Sequence, residues 1–165
     1  MNNCQSYLKI GLDYHGVINS NPEYFRAFCN ELLQRGHEVH ILSGGPEDKV
    51  DWYLNQLHIP YTQLFTIMDC YKMLGLMTVK PDGNWHIDEH LWNTAKAKYC
   101  NINQISVQID DSKIYGKYFL TPYCLYNQNK KVCVLSENTE IIDLHTIPPA
   151  ETINKLEKLL KLKKI

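Results

Sequence analysis

The sequence predicts an α/β fold, a three-layer sandwich around a mostly parallel central sheet. Three observations carry this. Strand-like and helix-like patterns alternate through the first 110 residues, the arrangement that builds parallel strands with right-handed crossovers. Three apolar runs end in polar or glycine-rich steps: Asp13-Tyr14-His15-Gly16, Ser43-Gly44-Gly45 and Asp110-Asp111-Ser112. The 165-residue chain is 44% hydrophobic and 21% charged, which suits one globular domain over residues 1–165 with a continuous core.

Each element follows in order. Tyr7 to Leu12 reads as the first strand, with Asp13 at its end. Asn21-Pro22 opens a helix, because Asn can cap and Pro fits the first turn. Phe25, Phe28, Cys29, Leu32 and Leu33 fall at helical spacing, and Gly36 stops the helix. Val39 to Leu42 is the second strand. A helix starts at Pro46-Glu47-Asp48 and runs to about Leu57, with Trp52, Leu54 and Leu57 as its apolar surface. Pro60 ends it. Phe65 to Met68 reads as a short strand, and residues 69 to 87 as irregular, with a turn at Pro81-Asp82-Gly83-Asn84. Asp88 caps a helix from Glu89 to about Tyr99. Ile105 to Ile109 is a strand ending in the paired aspartates. Tyr123 to Tyr126 and Val132 to Leu135 are further strands. An amphipathic helix at about 150–163 buries Ile153, Leu156, Leu159 and Leu160, and turns Lys155, Lys158, Lys161, Lys163 and Lys164 outward.

Composition narrows the function classes. A net charge of -1 provides no overall field for nucleic acid or a membrane surface. There is no 18-residue apolar stretch and no basic-then-apolar leader, so a cytoplasmic protein is expected. The six cysteines form no C-x-x-C pair and read as reduced core thiols. His86 and His90 flank Asp88, but a cap at Asp88 places His86 outside the helix and weakens a shared metal site.

The strand ends carry the chemistry. Ligands bind at the carboxyl edge of open α/β sheets, so the three ends predict one site. Asp13, Asp110 and Asp111 crowded there repel unless a cation intervenes, and Mg²⁺ prefers oxygen ligands. Ser43 with the free N–H groups around Gly44 suits a phosphate oxygen. Tyr14, Tyr24, Trp85 and Trp92 are candidate aromatic faces for a nucleobase at the mouth.

Asp13-Tyr14-His15-Gly16-Val17-Ile18 resembles the motif D-x-D-G-[TV]-[ILV]. Ile41 to Gly45 resembles an apolar strand ending in Ser or Thr. Ile109-Asp110-Asp111-Ser112 resembles an acidic motif, preceded by a helix lysine for which Lys96 is the best candidate, ahead of Lys98, Lys80 and Lys72. On these residues the chain resembles the haloacid dehalogenase (HAD) superfamily of phosphatases and phosphotransferases. The resemblance implies a Rossmann-like core and a phosphoaspartate mechanism. Asp13 is then the nucleophile and Ser43, Gly44 and Lys96 bind phosphate. Mg²⁺ is held by Asp13, the backbone carbonyl of His15, and Asp110 or Asp111. The implied partner is a phosphorylated substrate, with a nucleotide or a nucleic-acid end as the candidates. His15 stands where the family usually has a second aspartate as general acid and base. Histidine can do both jobs; alternatively the chain is a catalytically impaired binding or regulatory protein. Only Asn19 to Pro22 fill the first cap position of the family, and residues 69–90 form a modest insert at the second.

Overall fold

A seven-stranded sheet organises the computed structural model, which describes residues 7–161. Its order is β3 (Gln63–Thr66), β2 (Glu38–Ser43), β1 (Lys9–Asp13), β6 (Val107–Asp110), β7 (Tyr123–Asn127), β8 (Val132–Leu135) and β9 (Ile141–Asp143). The first five are mutually parallel; β8 and β9 extend the edge antiparallel. The architecture is therefore α/β with a mostly parallel central sheet, compatible with a Rossmann-like sandwich.

Parallel strands covered on both faces read as nearly continuous apolar runs, and β1, β2 and β6 are buried almost throughout. Successive side chains point to opposite faces. Ile10, Leu12, Val39, Ile41, Val107 and Ile109 join the main core with α1 (Pro22–Gln34), α2 (Glu47–Gln56) and α6 (Pro149–Lys161). The other face carries His40, Leu42, Gln108 and Asp110 toward α4 (Glu89–Ile102). Its polar content is paired: His40 Nδ1 lies 2.8 Å from Tyr99 Oη, and Lys96 Nζ donates to Asp110.

The structure corrects several expectations. Ile67 and Met68 do not continue a strand; Ile67–Met73 is helix α3. A short apolar run has no period of its own to separate strand from helix. Residues beyond α3 are not irregular, since β4 (Thr78–Val79) and β5 (Trp85–His86) form a hairpin around the predicted Pro81–Asn84 turn. Trp52 is 56% exposed; Leu54 is buried as expected, and Val50, four residues earlier, rather than Trp52 completes the buried face of α2. Asn21 makes no side-chain cap; its Nδ2 donates to the Leu144 carbonyl. Cys124 and Cys133 form a disulfide between β7 and β8, so the reading of all six cysteines as reduced thiols fails for this pair. The segment of β9 carries no strong strand pattern and was not expected.

Other expectations hold. Gly36 takes φ +80 just after α1, a left-handed stop that suits glycine. Asp88 accepts from the Leu91 N–H at 3.0 Å and caps α4. In α6, Ile153 and Leu156 are fully buried, while Arg35 on the α1 side donates to the Ala150 carbonyl and Asn154 Oδ1. Lys163 and Lys164 of the predicted basic face lie outside the described residues. Among the described residues, no helix is long and apolar enough to cross a membrane.

Candidate functional site

Strand register builds the site. Leu12 pairs with Ile109 on one side, and Asp13 with Leu42 on the other. Asp13 and Asp110 therefore stand level at the carboxyl edge, with Ser43 one residue past Leu42. All three are buried: Asp13 is 5% exposed, Asp110 and Ser43 not at all.

Lys96 joins them. The Asp88 cap sets the start of α4, and two turns later Lys96 reaches the sheet edge. Its Nζ lies 2.7 Å from Asp110 Oδ2 and 3.0 Å from Asp13 Oδ1. Of the four candidate lysines, the structure brings this one to the site. Lys72, Lys80 and Lys98 are exposed elsewhere.

Asp110 is further held by the Ser112 N–H at 3.0 Å. Asp111 follows, half-buried, and accepts from Gln128 Nε2 at 2.6 Å. Asp13, Asp110 and Asp111 each offer a carboxylate oxygen within 4.8 Å of the others, the one such potential metal group among the described residues. The His15 side chain and the His86–His90 pair are outside it. Gly16 makes the crowding possible: it takes φ +80, and a Cβ there would sit 2.1 Å from Asp111 Oδ2. A side chain would also drive into Gln128, so the turn after Asp13 requires glycine.

Electrostatics follow from counting charges. Three carboxylates face one ammonium. Burial raises the Asp13 pKa to about 7; Lys96 opposes this, while Asp110 and Asp111 add to it. Burial alone would lower the Lys96 pKa, but Asp13 and Asp110 overcome that and hold it above its ordinary value, so it stays charged. With all three carboxylates ionised, the cluster carries two negative charges in excess of Lys96, which a divalent cation matches. Opposite oxygens around Mg²⁺ lie about 4 Å apart, so modest side-chain adjustment would let this group embrace one.

His15 is exposed at the mouth, with Nδ1 3.3 Å from Ser43 Oγ. Partial desolvation and then the Lys96 ammonium pull its pKa below the ordinary value, against Asp111. Beside it, a cleft of about 440 Å³ is lined by Asp13, Gly44, Lys96, Asp111, Trp92 and Tyr115, among others. Trp92 packs so closely on Gly44 that a Cβ there would lie 3.1 Å from its ring. Of the expected aromatics, Trp92 lines the cleft and Trp85 stacks on it, with ring centroids 5.4 Å apart. Tyr14 is buried against Tyr53, and Tyr24 bonds Thr152 under α6, so neither opens to the mouth.

Sequence reasoning missed Asn19, Tyr115 and Gln128. Asn19 Oδ1 accepts from the Gly16 N–H at 2.7 Å, and an Asn three residues after a turn glycine was a usable signal. Gln128, in the β7–β8 turn, carried none. A scan against protein-family models finds no match to this chain, and no curated protein matches it significantly.

Proposed function

We propose that this chain is a Mg²⁺-dependent phosphomonoesterase of the HAD type, working through a phosphoaspartate on Asp13. The observation that supports this most directly is the convergence of Asp13, Lys96 and Asp110, with Asp111 beside them, at one sheet edge. The donor set is all oxygen and in negative excess, as a hard divalent cation requires. Asp13, Asp110 and Asp111 would hold Mg²⁺, which when bound supplies Lewis-acid neutralisation of the phosphoryl oxygens.

The chain's own residues do the rest. Asp13 attacks phosphorus; a P–O bond forms to its carboxylate as the ester P–O bond breaks, and the leaving oxygen takes a proton from solvent water and departs as the alcohol. Lys96, kept charged by its two aspartates, offsets negative charge developing in transfer. Ser43 Oγ and the backbone at Gly44 orient the phosphoryl oxygens. Water then attacks the phosphoaspartate, loses a proton to His15, and frees phosphate and the Asp13 carboxylate. Desolvation and the Lys96 ammonium disfavour the His15 imidazolium, which suits the ring to the base role better than to proton delivery to the leaving oxygen.

A second reading has one observation behind it. His15 contacts Ser43 Oγ, so a histidine that only hydrogen-bonds there would leave a binding protein with slow turnover. Hydrolysis of p-nitrophenyl phosphate with Mg²⁺ separates the two. Wild type should turn over and Asp13→Asn should fall to background; equal rates defeat the enzyme reading. His15→Asp should lose activity within the roughly 10²–10⁴-fold typical of acid–base groups, whereas a gain favours the impaired binding protein.

A further inference from the structure

We propose that the substrate of this site is a nucleoside monophosphate, its base stacked along a wall made by Trp92, Tyr115 and Trp85. The inference rests on the phosphatase reading and names the group that the phosphate is attached to. A cleft of about 440 Å³ holds more than a phosphoryl group; it falls in the roughly 300–1,000 Å³ range of pockets that take whole small molecules.

The wall is rigid. Trp92 Nε1 donates to Tyr115 Oη at 2.9 Å, and the Lys96 ammonium lies 5.3 Å from the Tyr115 ring centroid. The edge of Trp92 rests on Gly44, which places the ring beside the phosphate-binding turn. From the β4–β5 hairpin, Trp85 stacks on Trp92 at an interplanar angle of 27° and stays 45% exposed. Trp92 lines the cleft, and Trp85, stacked against it, stays open to solvent, leaving an aromatic surface beside the cleft to which a base can add. Every nucleobase has a π-face that such a surface accepts.

The same cleft holds two amides with spare capacity. Asn19 uses its Oδ1 on Gly16, and Gln128 uses its Nε2 on Asp111. Asn19 Nδ2 and Gln128 Oε1 have no partner among the described residues. One donor and one acceptor beside an aromatic wall suit the hydroxyls and ring edges of a nucleoside. The charges argue against a longer chain. Glu47, Asp48, Asp51 and Asp69 line the neighbouring cleft beyond the Gly44–Gly45 turn. A polynucleotide needs a basic track for its backbone, and here it would meet carboxylates in that direction.

The test compares kcat/KM for AMP, CMP, ribose 5-phosphate and a 5′-phosphorylated oligonucleotide, in wild type and Trp85→Ala. AMP and CMP should exceed ribose 5-phosphate by about 5- to 140-fold, the range that base–aromatic stacking supplies. Trp85→Ala should pull that ratio toward one, through KM rather than kcat. In Asp13→Asn, AMP should quench tryptophan fluorescence and ribose 5-phosphate should not. Equal efficiencies, a ratio unmoved by Trp85→Ala, or a preference for the oligonucleotide over AMP would overturn the proposal while leaving a phosphatase standing. If no phosphate ester, p-nitrophenyl phosphate included, is hydrolysed, the phosphatase reading fails. The fluorescence titration then decides the nucleotide site by itself, and an absent AMP quench overturns it.

Discussion

Asp13 is a carboxylate held where its charge is poorly tolerated. Burial and two neighbouring aspartates outweigh one lysine and push its pKa to about 7. The folded-state pKa is above the unfolded one, so the stability linked to its protonated form is present below about pH 4 and lost as pH rises through 7. Asp13→Asn, in the absence of added metal, should therefore unfold at a higher temperature than wild type at pH 8. The gain should be no more than about 4 kcal/mol, the linkage value of a rise from 3.8 to about 7, and should shrink as pH falls toward 4. Thermal melts at pH 8 and pH 5 check this; a destabilised variant at pH 8 would mean that the Lys96 pairing outweighs the burial. Such a gain at pH 8 would mark a carboxylate held at a cost to stability, as groups kept for function often are. At this scale the sequence showed Asp13, Ser43 and the aspartate pair, because residue type and position after an apolar run mark a strand end. It ranked Lys96 ahead of Lys98, Lys80 and Lys72 without settling the choice. That choice depends on which side of α4 faces the sheet.

Helix α4 carries both walls of the chemistry: Lys96 toward the aspartates, and Trp92, one turn earlier, along the cleft. Its phase is set at Asp88, whose carboxylate takes the Leu91 N–H. Asp88→Ala should cost about 1 kcal/mol, seen as a lower denaturant midpoint with an unchanged slope. No shift in the midpoint would show that tertiary contacts alone hold the start of α4. The cap was legible because Asp before a polar-and-apolar periodic run has a local cause. The β4–β5 hairpin was legible only as its turn. Its strands are two residues each, too short for a period, and they pair only because the turn brings them together.

Over the whole molecule, α6 closes the face of the sheet that lies away from the aspartates. Its apolar stripe enters the main core, and His37 Nε2 meets Glu157 at 2.8 Å to fix its position. Leu156 is fully buried in that core. Leu156→Ala should lose about 2–5 kcal/mol in chemical denaturation. A loss under 1 kcal/mol would mean that α6 packs more loosely than its burial indicates. The helix reads clearly from sequence because Ile153, Leu156 and Leu160 repeat at helical spacing. Where it docks does not, since a stripe records an apolar face and not its partner.

By itself the sequence determined the alternation of strands and helices, the parallel core, and the three strand ends that carry Asp13, Ser43 and Asp110-Asp111. Each is local: a period, a cap or a turn residue. Tertiary structure settled Lys96, the first-ranked lysine, as the one on the aspartates, and alone decided that Gln128 holds Asp111 across 17 residues and that Trp85 stacks on Trp92 beside the cleft. It also decided the Cys124–Cys133 pairing and the placement of β9. These are contacts between side chains whose own neighbourhoods look ordinary. They exist because β1 pairs β2 on one side and β6 on the other, which brings distant strand ends to one edge.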